Sequence, residues 1–232
     1  MDQKPTLRGF KPAFGLPDPS PFVLKVLLYM RVHNIEFDLK PGDSRKTPHK
    51  KIPVLEHNGQ IIPDSELILD YLEHTYSIVE QLNPEQHSIG QFIVRALDSN
   101  VYWSVVYSRW LTEKNAPIIK ETFFGEIPSL VRKPLFAMVQ KSVKRDLFGH
   151  GIGRMEPDSI YKLAKKDIDS LANFLGEKKY LFGDSITRYD CAAAAYVAQM
   201  LPTTIDTPHS EMVSAHPNLI SLWQRFKDEY VG

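Results

Sequence analysis

The sequence predicts an α/β N-terminal domain of order βαβ-ββα over residues 1–80, followed by an all-α domain over residues 81–232. Two observations carry that reading. Apolar runs of strand length, punctuated by proline and glycine, are confined to the first 80 residues, and from about Asn83 onward apolar residues recur at helical spacing. A third bears on size: for a chain of 232 residues, area scaling buries roughly 70% of the unfolded surface, enough for a core without staples.

Thr6 to Phe10 has strand length and runs into Gly15-Leu16-Pro17-Asp18-Pro19-Ser20-Pro21, a proline-rich loop. Val23, Val26, Leu27 and Met30 then keep helical spacing, with Pro21 in the first turn and Ser20 placed as the cap, so a helix is predicted over about 21–33. Ile35 to Leu39 reads as the second strand. Ile52-Pro53-Val54-Leu55-Glu56 and Gln60-Ile61-Ile62 flank His57-Asn58-Gly59, and an Asn-Gly between apolar runs is a hairpin signal. Pro53 within the third strand removes a ladder donor, which suits a strand end that shows backbone to a ligand and a cis bond. Asp64-Ser65 then caps an amphipathic helix carrying Leu67, Ile68, Tyr71 and Leu72. Ser77 to Pro84 reads as the linker. Beyond it, Ile89 to Leu111, Ile160 to Leu175, Thr187 to Met200 and Leu219 to Phe226 read as helices, the third packed on nearly all sides because it holds Cys191 and four successive alanines.

Composition excludes several classes. Lys plus Arg equals Asp plus Glu at 28 each, which argues against a dedicated nucleic-acid binder. One cysteine makes neither an internal disulfide nor a Cys-based zinc site, and among eight histidines none forms an i, i+4 pair around Glu, so no metal is expected. The longest apolar run, near Cys191 to Ala198, is far below the ~20 residues that cross a bilayer. With no secretory pattern at the start and no tail anchor at the end, a cytoplasmic protein is expected. No G-x-S-x-G elbow is present, and the Gly149 to Gly153 run follows a helical segment rather than a strand, so it reads as a tight turn with Arg154 capping or reaching a site.

The order βαβ-ββα with proline opening its third strand, then an all-α domain, resembles the glutathione transferase family, whose N-terminal domain is thioredoxin-like. Lys51-Ile52-Pro53-Val54-Leu55 is similar to the family's K-V-P-V-L, in which the proline is cis and the backbone of the next residue, here Val54, pairs with the cysteinyl part of glutathione. Asp64-Ser65 resembles the Glu/Gln-Ser pair that receives the γ-glutamyl end. Gly183-Asp184-Ser185-Ile186-Thr187-Arg188-Tyr189-Asp190 resembles the family's buried capping box, with Thr187 as N-cap. Ser20-Pro21-Phe22 is similar to the helix-one opening of omega-like members, where cysteine stands in place of serine. The Gly15–Phe22 segment and Gly149–Arg154 also resemble the failed-axon-connections and metaxin-like branch, in which a second cysteine often follows the phenylalanine; here it is Val23.

The resemblance implies a protein that takes glutathione as co-substrate, holds no permanent cofactor, conjugates the thiol to an apolar electrophile in detoxification chemistry, and forms a homodimer. Its site would comprise Ser20 as catalytic hydroxyl, with Lys51, Pro53, Val54, Asp64 and Ser65 on glutathione and Tyr107 and Trp110 on the electrophile. The residues suit such chemistry: a helix N-terminus favours a thiolate, and a hydroxyl there donates to the sulfur. Each also has a plain structural reading. Ser20 and Asp64-Ser65 are ordinary caps, Lys51 a solvated lysine, and Tyr107 and Trp110 core aromatics. The runner-up function is a non-catalytic binding or scaffold protein of metaxin-like type. Omega-type thiol transfer is disfavoured because Ser20 and Val23 replace the cysteines.

Overall fold

The computed structural model describes residues 3–201 and 204–231. Strand β1 (Thr6–Gly9) pairs in parallel with β2 (Asp38–Pro41) and antiparallel with β3 (Val54–His57), which pairs antiparallel with β4 (Gln60–Pro63), giving the order β2-β1-β3-β4. The β3–β4 turn is the predicted Asn-Gly hairpin: Asn58 (φ 49°) and Gly59 (φ 75°) both lie in the left-handed region that a type I′ turn requires. Helix α1 (Pro21–Val32) links β1 to β2, and α2 (Ser65–Tyr76) follows β4. Among the described residues no further strand follows; isolated bridges join Ala13 to Leu16 and Tyr180 to Gly183. The helices are α3 (Pro84–Ala96), α4 (Tyr102–Trp110), α5 (Ala116–Phe124), α6 (Ser129–His150), α7 (Pro157–Leu175), α8 (Arg188–Met200), α9 (Pro208–Ser214) and α10 (Pro217–Phe226), with a π turn at Leu97–Val101 joining α3 to α4.

Three sequence expectations need correcting, each for a local reason. The second strand begins at Asp38, not Ile35, because Ile35 belongs to the end of α1: Asn34 is left-handed (φ 53°), and the Ile35 and Asn34 N–H groups donate to the Met30 and Arg31 carbonyls. That is a Schellman closure, with Ile35 as its buried apolar contact. The first strand stops at Gly9 because the Phe10 N–H leaves the ladder for the Asp18 carboxylate. Pro53 lies just before β3 rather than inside it, and the Ile52–Pro53 bond is cis.

Contacts divide the chain into two compact units. The first holds the chain up to Val94, together with Leu175–Gln199 and the segment from Asn218 onward. Its core is α1, where Val23, Leu24 and Val26 to Met30 are all fully buried. Full burial of each such side chain stabilises by about 1.5–3 kcal/mol. The second unit holds Arg95–Phe174 and Met200–Pro217, and one core cluster joins Val106, Leu147, Ile152 and Ile160 under the aromatics of α4.

Candidate functional site

The register of the sheet brings Pro53, Val54, Asp64 and Ser65 to one end of it. Arg8, near the C-terminal end of β1, faces Val54 at the start of β3, and Val54 faces Pro63 at the end of β4. Pro53, Val54, Asp64 and Ser65 therefore share an edge with the loop that leaves β1 and reaches Ser20. Pro53, Val54 and Ser65 are buried, while Asp64 and Lys51 are exposed.

Ser20 occupies the N-cap position of α1 in extended backbone (φ −99°, ψ 125°), and its carbonyl accepts the first helical bond from the Leu24 N–H. Contrary to the sequence expectation, its side chain does not cap: its hydroxyl accepts no capping hydrogen bond. Pro21 at the first helical position has no N–H to satisfy, which lowers the demand for a cap. The loop is fixed instead by Asp18, fully buried, whose Oδ1 accepts from the Ser20 N–H (2.8 Å) and Oδ2 from the Phe10 N–H (2.6 Å). Gln199 of α8 donates to the Asp18 carbonyl (3.1 Å). Gly9 makes room, since a Cβ there would sit 2.4 Å from Asp18 Oδ2. Burial pushes the Asp18 carboxyl up to about 6, with the two N–H donors pulling the other way. Sequence reasoning passed over Asp18, although an Asp two residues before a helix start is the signature of an Asx turn.

Asp64 caps α2 as expected, its carboxylate accepting from the Glu66 N–H (2.9 Å). Its backbone is left-handed (φ 74°), a costly state for a non-glycine residue and one that concentrates at ligand clamps. Behind it lies a charge chain that no sequence motif had marked. Lys25 of α1, fully buried, donates to Glu66 Oε1 (2.7 Å), and Arg188 at the start of α8 donates to Glu66 Oε2 (3.1 Å), Asp70 (2.7 Å) and Glu73 (3.1 Å). Burial alone would raise the Glu66 carboxyl, but the charges of Lys25 and Arg188 outweigh it and hold the group below its usual range. The chain ties the N-terminal turn of α2, and with it Asp64 and Ser65, to α1 and α8.

The α8 capping box matches its expectation. Asp190 Oδ2 accepts from the Thr187 N–H (2.9 Å) and hydroxyl (2.6 Å), and Oδ1 accepts from the Leu181 N–H (2.7 Å). Cys191 is fully buried, and desolvation pushes its thiol well up. Tyr107 and Trp110 lie in the second unit, half-buried on α4: Trp110 stacks on Phe123 and Phe136, and Tyr107 meets the edge of Tyr161. Lys51 uses its carbonyl to accept from the Thr47 hydroxyl (2.8 Å). Among the described residues no group of three or more His, Cys, Asp or Glu is placed to hold a metal ion.

Comparison with known proteins places this geometry in context. Residues 21–115 match the family model of the glutathione S-transferase N-terminal domain, and residues 164–226 that of the glutathione S-transferase C-terminal domain. The chain is 27% identical to isoprene-epoxide–glutathione S-transferase of Rhodococcus sp. (strain AD45), covering 97% of this chain and 98% of the relative. It is 27% identical to Failed axon connections of Drosophila melanogaster, over 92% of this chain and 55% of the relative, so it spans about half of that longer protein. It is 24% identical to the mitochondrial outer membrane import complex protein METAXIN of Arabidopsis thaliana, over 97% of this chain and 72% of the relative. Among solved structures, the β-etherase LigF of Sphingobium sp. strain SYK-6 shares the fold with a TM-score of 0.70 at 15% identity, covering 97% of this chain and 95% of that one.

Proposed function

The chain belongs to the glutathione S-transferase superfamily, and from that premise we propose that it binds glutathione at the sheet end that carries Val54, Asp64 and Ser65 and conjugates it to an apolar electrophile. One observation carries the catalytic half of this reading: the Ser20 hydroxyl stands at the N-terminus of α1 and is not used as a cap. Donated to the glutathione sulfur, it stabilises the thiolate by about 1.5–3 kcal/mol, with the helix dipole acting in the same direction. The thiol proton leaves to solvent. The thiolate then forms a carbon–sulfur bond to the electrophilic carbon as the carbon–halogen or ring carbon–oxygen bond breaks: a halide departs with the electron pair, and an epoxide oxygen takes it and is protonated by water. Asp64 faces the glutathione amine, Ser65 and the α2 N–H groups take its γ-glutamyl carboxylate, and Lys51 meets the glycyl carboxylate.

The proposal includes a cytoplasmic homodimer. Exposed Ile61 on β4, Leu67 on α2 and Phe92 on α3 give the first unit apolar surface to bury against a second copy. A non-catalytic binding or scaffold protein is the second reading, favoured by similarity to Failed axon connections and METAXIN, neither of which is named for a transferase activity. Calorimetric titration with glutathione followed by a panel of epoxide and halide electrophiles separates them. Heat and turnover support the enzyme; heat without turnover supports the binding protein.

A further inference from the structure

Helix α6 buries one side and exposes another that is also apolar. Phe136 and Leu147 are buried, and Leu147 joins the core cluster under α4. On the opposite side Leu130 is 88% exposed, Met138 62% and Phe148 57%, with Val131 and Pro134 beside them. At 100° per residue, positions 130, 134, 138, 141, 145 and 148 fall on one stripe, so the exposed apolar groups alternate with Lys141 and Arg145. Lys133 and Lys144 flank the stripe.

The charge of this helix is unlike that of the chain. Ser129–His150 carries five Lys or Arg against one Asp, whereas the whole chain balances at 28 and 28. Arg132 is spent inward, on the Ile127 carbonyl and Glu121. Lys133, Lys141 and Lys144 enter no ion pair among the described residues. The turn after the helix adds a further cation: Gly151 (φ 106°) reverses the chain, and Arg154 donates to the Phe148 carbonyl (3.0 Å) with its guanidinium 4.6 Å from the Phe148 ring centre.

We propose that the exposed face of α6 docks on an anionic lipid surface, with Leu130, Met138 and Phe148 entering the headgroup–acyl boundary and Lys133, Lys141, Lys144, Arg145 and Arg154 meeting lipid phosphates and carboxylates. A single helix face that mixes large apolar groups with lysines has the make-up of an interfacial helix, where lysine stems lie along apolar surface and their heads reach the polar layer. The excess of cations on this helix matches an anionic surface, whereas a second copy of a chain that balances at 28 and 28 offers no matching excess of negative charge. Nucleic acid would leave the aliphatic groups without a stacking partner. Among the described residues no helix is long and apolar enough to cross a membrane, so the contact is peripheral. It does not depend on glutathione turnover.

Co-sedimentation of the full chain with phosphatidylcholine vesicles, with and without phosphatidylserine, tests this. The protein partitions onto the phosphatidylserine vesicles, and added salt releases it. Lys133→Gln/Lys141→Gln/Lys144→Gln lowers the partition coefficient on the order of a hundredfold. Leu130→Ser/Met138→Ser lowers it as well, and both variants keep the parent's thermal midpoint because the altered side chains are exposed. Equal partition onto both vesicle types, or a triple variant that binds like the parent, overturns the proposal. So does a parent that ignores vesicles and instead self-associates through a contact the serine variant abolishes.

Discussion

Asp18, rather than the Ser20 side chain, fixes the turn that enters α1. Asp18 takes the Ser20 and Phe10 N–H groups, and the Ser20 hydroxyl makes no cap. Ser20 at the helix start is legible in the sequence because Ser-Pro marks one; that its side chain makes no cap is not, because a neighbour two residues back holds the turn. The arrangement has a pH signature. The folded Asp18 value, about 6, lies above the unfolded value near 3.9, so folded protein binds the extra proton between about pH 4 and pH 6. Stability is therefore fully supported below that window and lost as pH rises through it, by about 3 kcal/mol. Asp18→Asn cannot ionise and should flatten this part of the profile, which denaturant unfolding at several pH values would reveal; parallel profiles for parent and variant would count against the assignment. Ser20→Cys is expected to move activity from conjugation toward mixed-disulfide exchange with glutathione, since a helix N-terminus lowers a thiol pKa. Persistence of the parent's reaction profile in that variant would place residue 20 away from the sulfur.

Helix starts and the hairpin were readable because their signals are local. Asn58-Gly59, Asp64 before α2, and Thr187 with Asp190 three residues on all act within a few residues, and the structure uses each as its spacing indicates. Helix α6 shows no one-faced pattern in the sequence, because apolar residues occur on both of its sides and Pro134 lies within it. The Lys25–Glu66–Arg188 chain was also invisible, since it joins residues far apart in sequence. Asp190 satisfies two backbone N–H groups and a hydroxyl while fully buried, so Asp190→Ala should destabilise by about 2–4 kcal/mol and Thr187→Ala by about 1 kcal/mol. Denaturant midpoints in the reverse order would refute the box. Glu66→Ala strands fully buried Lys25 and should cost about 3–5 kcal/mol, whereas Lys25→Met with Glu66→Gln restores much of it. Additive losses in that double variant would show that the two charges do not act as a pair.

At the scale of the molecule, periodicity revealed which segments are helical but not which unit they build. Leu175–Gln199 and the segment from Asn218 onward group with the sheet-bearing unit, because α8 supplies Arg188 and Gln199 to it and the Arg31 guanidinium donates to the Tyr230 and Val231 carbonyls. Such long-range partners leave no trace in local spacing. The exposed Ile61, Leu67 and Phe92 lead us to expect a homodimer that Phe92→Ser weakens; sedimentation of the parent at the mass of one chain would overturn that. The central claim is that Ser20 holds glutathione as a thiolate. It is tested most directly by titrating the thiolate absorbance of bound glutathione against pH in the parent and in Ser20→Ala. The account predicts a bound thiolate at neutral pH in the parent and an upward shift of about one to two units in the variant, with conjugation slowed roughly ten- to a hundredfold. Superimposable titrations in the two proteins, or no bound thiolate in the parent, would contradict it.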